Sequence, residues 1–230
     1  MSLQAISNDD MLVGSLFKPG HTITWSFLKE LEMPWDALPL ISSYVSKLGA
    51  GLSSSEYDIR PGNVWIHKSA TVATSAFIGT NIIIGENADI RHNAYIRTDA
   101  IIGKHAVIGN ATELKNVILF DNASVPHFNY AGDSILGYKS HFGAGVITSN
   151  VKSDYSAVSV NCGNNRFETS LTKFGAIIGD NAEIGCNAVL NPGTIIGAGA
   201  TVYPLSMVRG FVPANSIYKK QGEVVLKRET

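Results

Sequence analysis

The chain has 230 residues, 45% hydrophobic and 16% charged, with a formal net charge of −1. Such a length and composition fit one substantial ordered domain with an appendage, and exclude general nucleic-acid binding or a polybasic membrane anchor. Two cysteines, Cys162 and Cys186, give no disulfide framework and suit a reducing compartment. The opening "MSLQAISNDD" has neither the basic nor the apolar region of a secretory signal. No apolar run reaches the roughly 18 residues needed to cross a bilayer, so a cytoplasmic protein is expected.

Residues 1–60 show helical spacing at Trp25, Phe27, Leu28 and Leu31, a break at Pro34, and a second helical stretch toward Leu48. This predicts two short helices that cap the first coil of a repeat domain. "IRPGNVWIH" then leads into that repeat. Every sixth residue from Ile66 is large and apolar: Ile66, Val72, Ile78, Ile84, Ile90, Ile96, Ile102, Ile108, Leu114 and Phe120. Four residues after each of the first eight stand Ala70, Ala76, Ile82, Ala88, Ala94, Ala100, Ala106 and Thr112, mostly small. A second register runs through Ile178, Ile184, Leu190, Ile196, Val202 and Val208. A period of six is the signature of a parallel β-helix in which aliphatic side chains fill a prism and small ones fit near its corners. Three hexads close one triangular coil, and residues 18 apart stack at about 4.8 Å. The prediction is a mainly β protein: a helical cap over 1–60, a β-helix over 61–210, and a tail over 211–230. The end "SIYKKQGEVVLKRET" reads as either a strand or a helix.

Three features of this surface bear on chemistry. Arg97 follows Ile96 and Lys115 follows Leu114, so the two cations lie one coil apart on one face. Like charges so placed repel unless an anion joins them. They are either two solvated charges or a phosphate site. Glu113 points outward beside them, where it could accept hydrogen bonds from sugar hydroxyls. His127 falls in "ASVPHFNYAGDSILG", where the rhythm slips: Phe120 and Leu136 are 16 apart, not 12 or 18. Such a break turns side chains outward, and a histidine there is either structural or a general base. His21, His67, His92, His105 and His141 are scattered, without the close spacing of a zinc site.

"IRTDAIIGKHAVIGNATELKN…PHFNYAGDSILGYKSHFGAGVITSN", residues 96–150, resembles the C-terminal acetyltransferase domain of bacterial bifunctional UDP-N-acetylglucosamine pyrophosphorylase/glucosamine-1-phosphate acetyltransferases. "FGAIIGDNAEIGCNAVLNPGTIIGAG", after an insertion near 151–173, is more similar to archaeal sugar-1-phosphate nucleotidylyltransferase/acetyltransferases. The resemblance covers roughly 64–215. It implies a left-handed, trimeric β-helix and acetyl-CoA as co-substrate. It also implies an amino-sugar 1-phosphate acceptor, of glucosamine or galactosamine. Carried over by position, Arg97 and Lys115 hold the phosphate, Glu113 and Tyr130 the sugar hydroxyls. His127 deprotonates the amine, Asn150 orients it, and the backbone N–H at Ala144 stabilises the oxyanion. Acetyl-CoA would lie in the groove between prisms, near Ala144 and Cys186. Arg209, Lys219, Lys220 and Arg228 are then either contacts for its phosphates or a solvated basic end.

The chain departs from the bacterial pattern at His141, where asparagine is usual, at Val151 for tyrosine, and at Cys186 for serine. The lysine that comes after the asparagine in the family has no direct equivalent, because the loop here is longer; Lys152 and Lys173 are its candidate substitutes. "KLGAGLSSSE", residues 47–56, resembles the glycine-rich opening of a nucleotidyltransferase only superficially, so no uridylyl transfer is expected. Two other functions remain open on these residues. One is acylation of another amino sugar, including a nucleotide-linked one; the other is a non-catalytic trimeric partner of a separate nucleotidyltransferase.

Overall fold

In the computed structural model, which describes residues 7–228, the hexads wind into a parallel β-solenoid of about nine turns. Strands of successive coils pair in parallel. Tyr95–Ile102 pairs with Phe77–Ile84 on one side and Glu113–Leu119 on the other, and Glu113–Leu119 pairs with Tyr130–Leu136. Ile66, Ile84, Ile90, Ile96, Ile102, Ile108 and Leu114 of the six-residue series are all buried in the prism, with Ile178, Ile184, Leu190, Ile196, Val202 and Val208. Burial of such a column, at about 25 cal/mol per Å² of apolar surface, drives the coiling.

The corners are set by backbone conformation. Asn81, Asn87, Asn93, Asp99 and His105 recur every six residues with φ between 54° and 59°. Asparagine and aspartate enter this left-handed region at lower cost than other non-glycine residues. After Ala111 the next such residue is Asn116, and after Phe128 it is Asp133. These five-residue sides shorten the coil from 18 residues to 17, as in the pairings Glu113↔Tyr130 and Ser124↔His141. The slip seen around His127 is thus a shorter coil that keeps its phase.

The helical segment is not an end cap. It runs back along one flank of the prism. Leu16 O accepts from Asp180 N, His21 O from Asp121 N, and Leu38 O from Asn116 Nδ2. Ser46 Oγ meets Asn81 Oδ1, and Gly49 lies on the Trp65 ring. The reason is a second apolar row on the outside of that flank. Ile83, Ile101, Ile118, Ile135, Ile177 and Ile195 pair from coil to coil and are all buried, packed with Leu16, Phe17, Leu38 and Ile41. "KLGAGLSSSE" ends the helix Ile41–Gly49 and joins it to the first coil, where Lys68 Nζ bonds to the carbonyls of Ser54 and Ser55.

Between Thr148 and Ala176 the chain leaves the solenoid. It forms an antiparallel hairpin, Ser159–Cys162 with Asn165–Glu168, that packs Val158, Val160 and Cys162 into the flank cluster. At the far end the coils continue past residue 210. Phe211–Val212 pairs with Ile195–Ile196, and Ser216–Lys220 with Thr201–Val202. The end is a strand, Glu223–Leu226, folded back antiparallel on Ser216–Lys220.

Candidate active site

One face of the prism carries Arg97, Glu113, Lys115 and Tyr130. Arg97 and Lys115 follow the paired residues Ile96 and Leu114 and so start from neighbouring coils. The two cations do not face each other awaiting an outside anion, however. Arg97 Nη1 donates to Glu113 Oε1 at 2.9 Å, and Lys115 Nζ lies 3.1 and 3.3 Å from the Asp133 carboxylate oxygens. Glu113 therefore partners Arg97 rather than standing free beside Lys115. Asp133 enters because the 17-residue coil sets it at the corner next to Asn116. It is 3% exposed, and also accepts from Asn116 Nδ2 at 2.9 Å and from Asn150 Nδ2. A buried carboxylate needs such partners, since desolvation alone would make its charge costly.

Asn150 Nδ2 also reaches the Tyr130 hydroxyl at 3.3 Å. Burial, reinforced by the nearby Asp133 and Glu113 carboxylates, pushes the Tyr130 phenol up, so it remains a protonated donor. Gly132 makes room for that phenol: a Cβ there would come 2.4 Å from Tyr130 Oη. Lys115, Asp133, Asn150 and Tyr130 thus form one connected polar group, and the Arg97–Glu113 pair lies beside it, Glu113 being the strand partner of Tyr130.

His127 stands at the neighbouring corner. It ends the strand Ser124–His127 and is exposed, followed by Phe128 with φ of 53°. A bulky residue in that region is strained, and such strain concentrates at functional sites. The next coil places Gly145 N–H on His127 O at 3.0 Å, and Ala144 O accepts from Asn187 N at 2.8 Å. His127, Ala144 and Cys186 therefore climb one edge of the prism. Gly143 N–H goes to Ile184 O and Gly145 N–H to His127 O, while Ala144 N–H has no acceptor among the described residues. It is an available oxyanion donor.

The two groups lie at opposite ends of one face. The corners at Phe128 and Asp133 are five residues apart, about 16 Å at 3.3 Å per residue. Tyr130 and Glu113 occupy the middle.

The remaining residues fall elsewhere. His141 Nδ1 is 2.9 Å from Glu183 Oε2, on a different face. Lys152 bonds Ser156 Oγ and the carbonyl of Ala157, and Lys173 is exposed next to Phe174, whose N–H donates to Asn150 O. Lys219 pairs with Glu223 at 3.1 Å and Lys220 with the same residue at 3.5 Å. Lys219 and Arg228 line a cleft at the far end, on a different face from Arg209, which lines a cavity with Val151 and Lys152. Among the described residues, no group of three or more histidine, cysteine or acidic side chains is placed to hold a metal ion. Asp133 is the one site residue that sequence reasoning passed over, though it closes the "YAGD" stretch just after His127.

Comparison with known proteins agrees with this architecture. The GMPPB C-terminal domain matches residues 83–164 and the bacterial transferase hexapeptide (six repeats) matches residues 175–210. The "Bifunctional protein GlmU" of Methanococcus maripaludis (strain C7) is 42% identical over 205 residues, covering 88% of this chain and 50% of that protein. The "Bifunctional sugar-1-phosphate nucleotidylyltransferase/acetyltransferase" of Sulfurisphaera tokodaii is 33% identical over 109 residues, 47% of this chain and 27% of that one. Among solved structures, the acetyltransferase domain of PglB from Neisseria gonorrhoeae in complex with acetyl coenzyme A is 19% identical, with a TM-score of 0.32 over 67% of this chain and 53% of that one. The chain spans about half the length of the curated Methanococcus relatives it matches. The chain carries the hexapeptide repeat and is similar to the C-terminal half of GlmU and of the sugar-1-phosphate nucleotidylyltransferase/acetyltransferases.

Proposed function

We propose that the protein is an acetyl-CoA-dependent N-acetyltransferase whose acceptor is an amino-sugar 1-phosphate, glucosamine or galactosamine 1-phosphate. The observation that carries this reading is the edge-and-face arrangement. A histidine, an unused backbone N–H and Cys186 share one edge, and the adjoining face offers sugar-type hydrogen-bonding groups that end at two cations. The name of the Sulfurisphaera tokodaii relative, a sugar-1-phosphate nucleotidylyltransferase/acetyltransferase, supports acetyl transfer and a sugar-linked acceptor.

In this reading the sugar ring lies on Tyr130 and Glu113. Its phosphate meets the outward donors of Arg97 and Lys115, which their single carboxylate partners leave unfilled. Asn150 steers the ring beside Tyr130. The 2-amine attacks the thioester carbonyl carbon, and His127 takes the proton that the nitrogen loses. Ala144 N–H donates to the oxyanion, and the tetrahedral intermediate collapses with cleavage of the carbon–sulfur bond. The imidazolium returns its proton to the leaving thiolate, so the products are an amide and free coenzyme A thiol. No covalent enzyme intermediate forms.

Assembly as a cytoplasmic homotrimer is part of the same proposal. Phe77, Tyr95, Ile147 and Met207 are between 41% and 58% exposed and stand in one row across paired coils, Phe77 and Tyr95 on one side of Glu113 and Tyr130 and Ile147 and Met207 on the other. Covering such a row in a second copy removes apolar surface from water. The test is thiol release from acetyl-CoA with glucosamine 1-phosphate, galactosamine 1-phosphate and their UDP conjugates. Turnover with a sugar 1-phosphate at least about tenfold above its UDP conjugate supports this acceptor; the reverse order assigns a nucleotide-linked one. No thiol release with any of the four contradicts the enzymatic reading.

A further inference from the structure

To cover the outer apolar row, the helical segment needs only apolar side chains. One stretch of it does more. Pro34–Leu40, a short 3₁₀ helix, buries Pro34, Trp35, Ala37 and Leu38 on the flank. It also meets the corner between the flank and the Lys115 face at two separate points.

The first is a carbonyl. Asn116 Nδ2 donates to Leu38 O at 3.2 Å and to Asp133 Oδ1 at 2.9 Å. With both hydrogens engaged, the amide is turned by the helical segment on one side and by the carboxylate on the other. That carboxylate in turn holds Lys115 Nζ and Asn150 Nδ2. Pro39 follows Leu38 directly and locks its own φ, which leaves the chain that presents the carbonyl little freedom.

The second is a ring. Trp35 packs on Phe174 with ring centroids 6.2 Å apart. Phe174 and Gly175 bring the chain back to the prism after its excursion. Phe174 N donates to Asn150 O at 2.9 Å and Gly175 N to Asp133 O at 2.8 Å. A Cβ at Gly175 would sit 2.2 Å from Gly132 O and 2.4 Å from Ser134 Oγ, so only glycine lets the returning chain close this far. Leu38 thus fixes the Asp133 side chain through Asn116. Trp35 backs the two N–H groups that hold the Asp133 and Asn150 backbones.

We propose that Pro34–Leu40 is a brace for the polar group, and that Asn116 and Trp35 are positioning residues for the acceptor. They set Lys115 and Asn150 without touching the acceptor themselves. The identity of the acceptor rests on the acetyl-transfer reading; the brace does not.

The test compares Asn116→Gly, Trp35→Leu and Asn122→Gly with wild type in the full chain. Asn122 has the same left-handed conformation, φ 61°, at another corner, and so controls for the change to glycine. Amide exchange read by mass spectrometry is expected to quicken about tenfold over residues 130–136 and 174–178 in the first two variants, and to stay at the wild-type rate in Asn122→Gly. Steady-state kinetics with acetyl-CoA and glucosamine 1-phosphate or galactosamine 1-phosphate should show acceptor KM raised about tenfold, with kcat and the acetyl-CoA KM within about threefold. A merely structural loss would lower kcat by reducing folded enzyme and leave KM in place. Should Trp35→Leu fail to fold, Asn116→Gly, which removes no core side chain, carries the comparison. The brace is overturned if exchange in those segments is unchanged, if Asn122→Gly quickens it equally, or if it quickens while acceptor KM stays the same. If wild type turns over neither sugar phosphate, the acetyl-transfer reading fails and exchange alone decides for or against the brace.

Discussion

Asp133 holds Lys115, Asn116 and Asn150 together from a corner where no solvent replaces them. Replacing it with alanine leaves an ammonium without its acceptor and two amides with one acceptor fewer, Leu38 O and the Tyr130 hydroxyl remaining. Asp133→Ala is expected to cost about 3 kcal/mol in urea unfolding, and to raise the acceptor KM through lost placement of Lys115 and Asn150. An unchanged midpoint and KM would show that the carboxylate holds nothing. Gly132→Ala should act more locally. Its Cβ meets the Tyr130 hydroxyl at 2.4 Å, so the ring must turn away, raising KM with little loss of stability. Arg97, Glu113 and Lys115 were legible because each flanks a residue of the six-residue series. Asp133 was not, because its place depends on two five-residue sides that shift the register by one. The left-handed corners at Ala111, Asn116, Phe128 and Asp133 and the 17-residue strand pairings reveal that shift.

At the scale of the element, the helical segment shows how far a period can be read. The series from Ile66 specified the inside of the prism. The outer row was also written in the sequence, as the apolar triplets "III" at 82–84, "AII" at 100–102 and "VIL" at 117–119. In each, the middle residue points away from the core and needs a cover. The helices meet that need along the flank, where reading them as an end cap ignored it. The segment is pinned at its start by Asp180, whose two oxygens accept from Lys18 N and Tyr138 N at 2.8 Å each. Asp180→Ala orphans both donors. It should lower stability by about 2 kcal/mol, with faster amide exchange over residues 16–24 than in the coils. Uniform exchange in both regions would contradict a locally pinned strap. Gly49→Ala should be worse at the other end, since a Cβ would fall 2.4–2.5 Å from atoms of the Trp65 ring. Overpacking there is expected to cost about 1–3 kcal/mol by thermal or urea unfolding.

At the scale of the whole molecule, a solenoid has one surface per face, and here the surfaces are put to different uses. One flank is buried under the helices, one edge carries His127 and Ala144, and the face between the two corners combines the polar group with an exposed apolar row. If that row is where copies meet, Tyr95→Glu combined with Phe77→Glu should convert a trimer to monomer in light scattering while leaving the circular dichroism of the coils intact. A wild-type monomer would contradict it. The excursion at 149–175 could be located from the gap between the two hexad registers. Its hairpin could not be placed, because its partners Trp35 and Phe174 are brought together only by the flank packing.

The most direct measurement of the central claim is single-turnover thiol release from acetyl-CoA by wild type and His127→Ala, at saturating glucosamine 1-phosphate or galactosamine 1-phosphate. His127 is exposed and outside the core, so the variant should fold with an unchanged unfolding midpoint. The rate is predicted to fall by about 10²–10⁴. Equal rates in the two proteins, with both folded, would contradict the account.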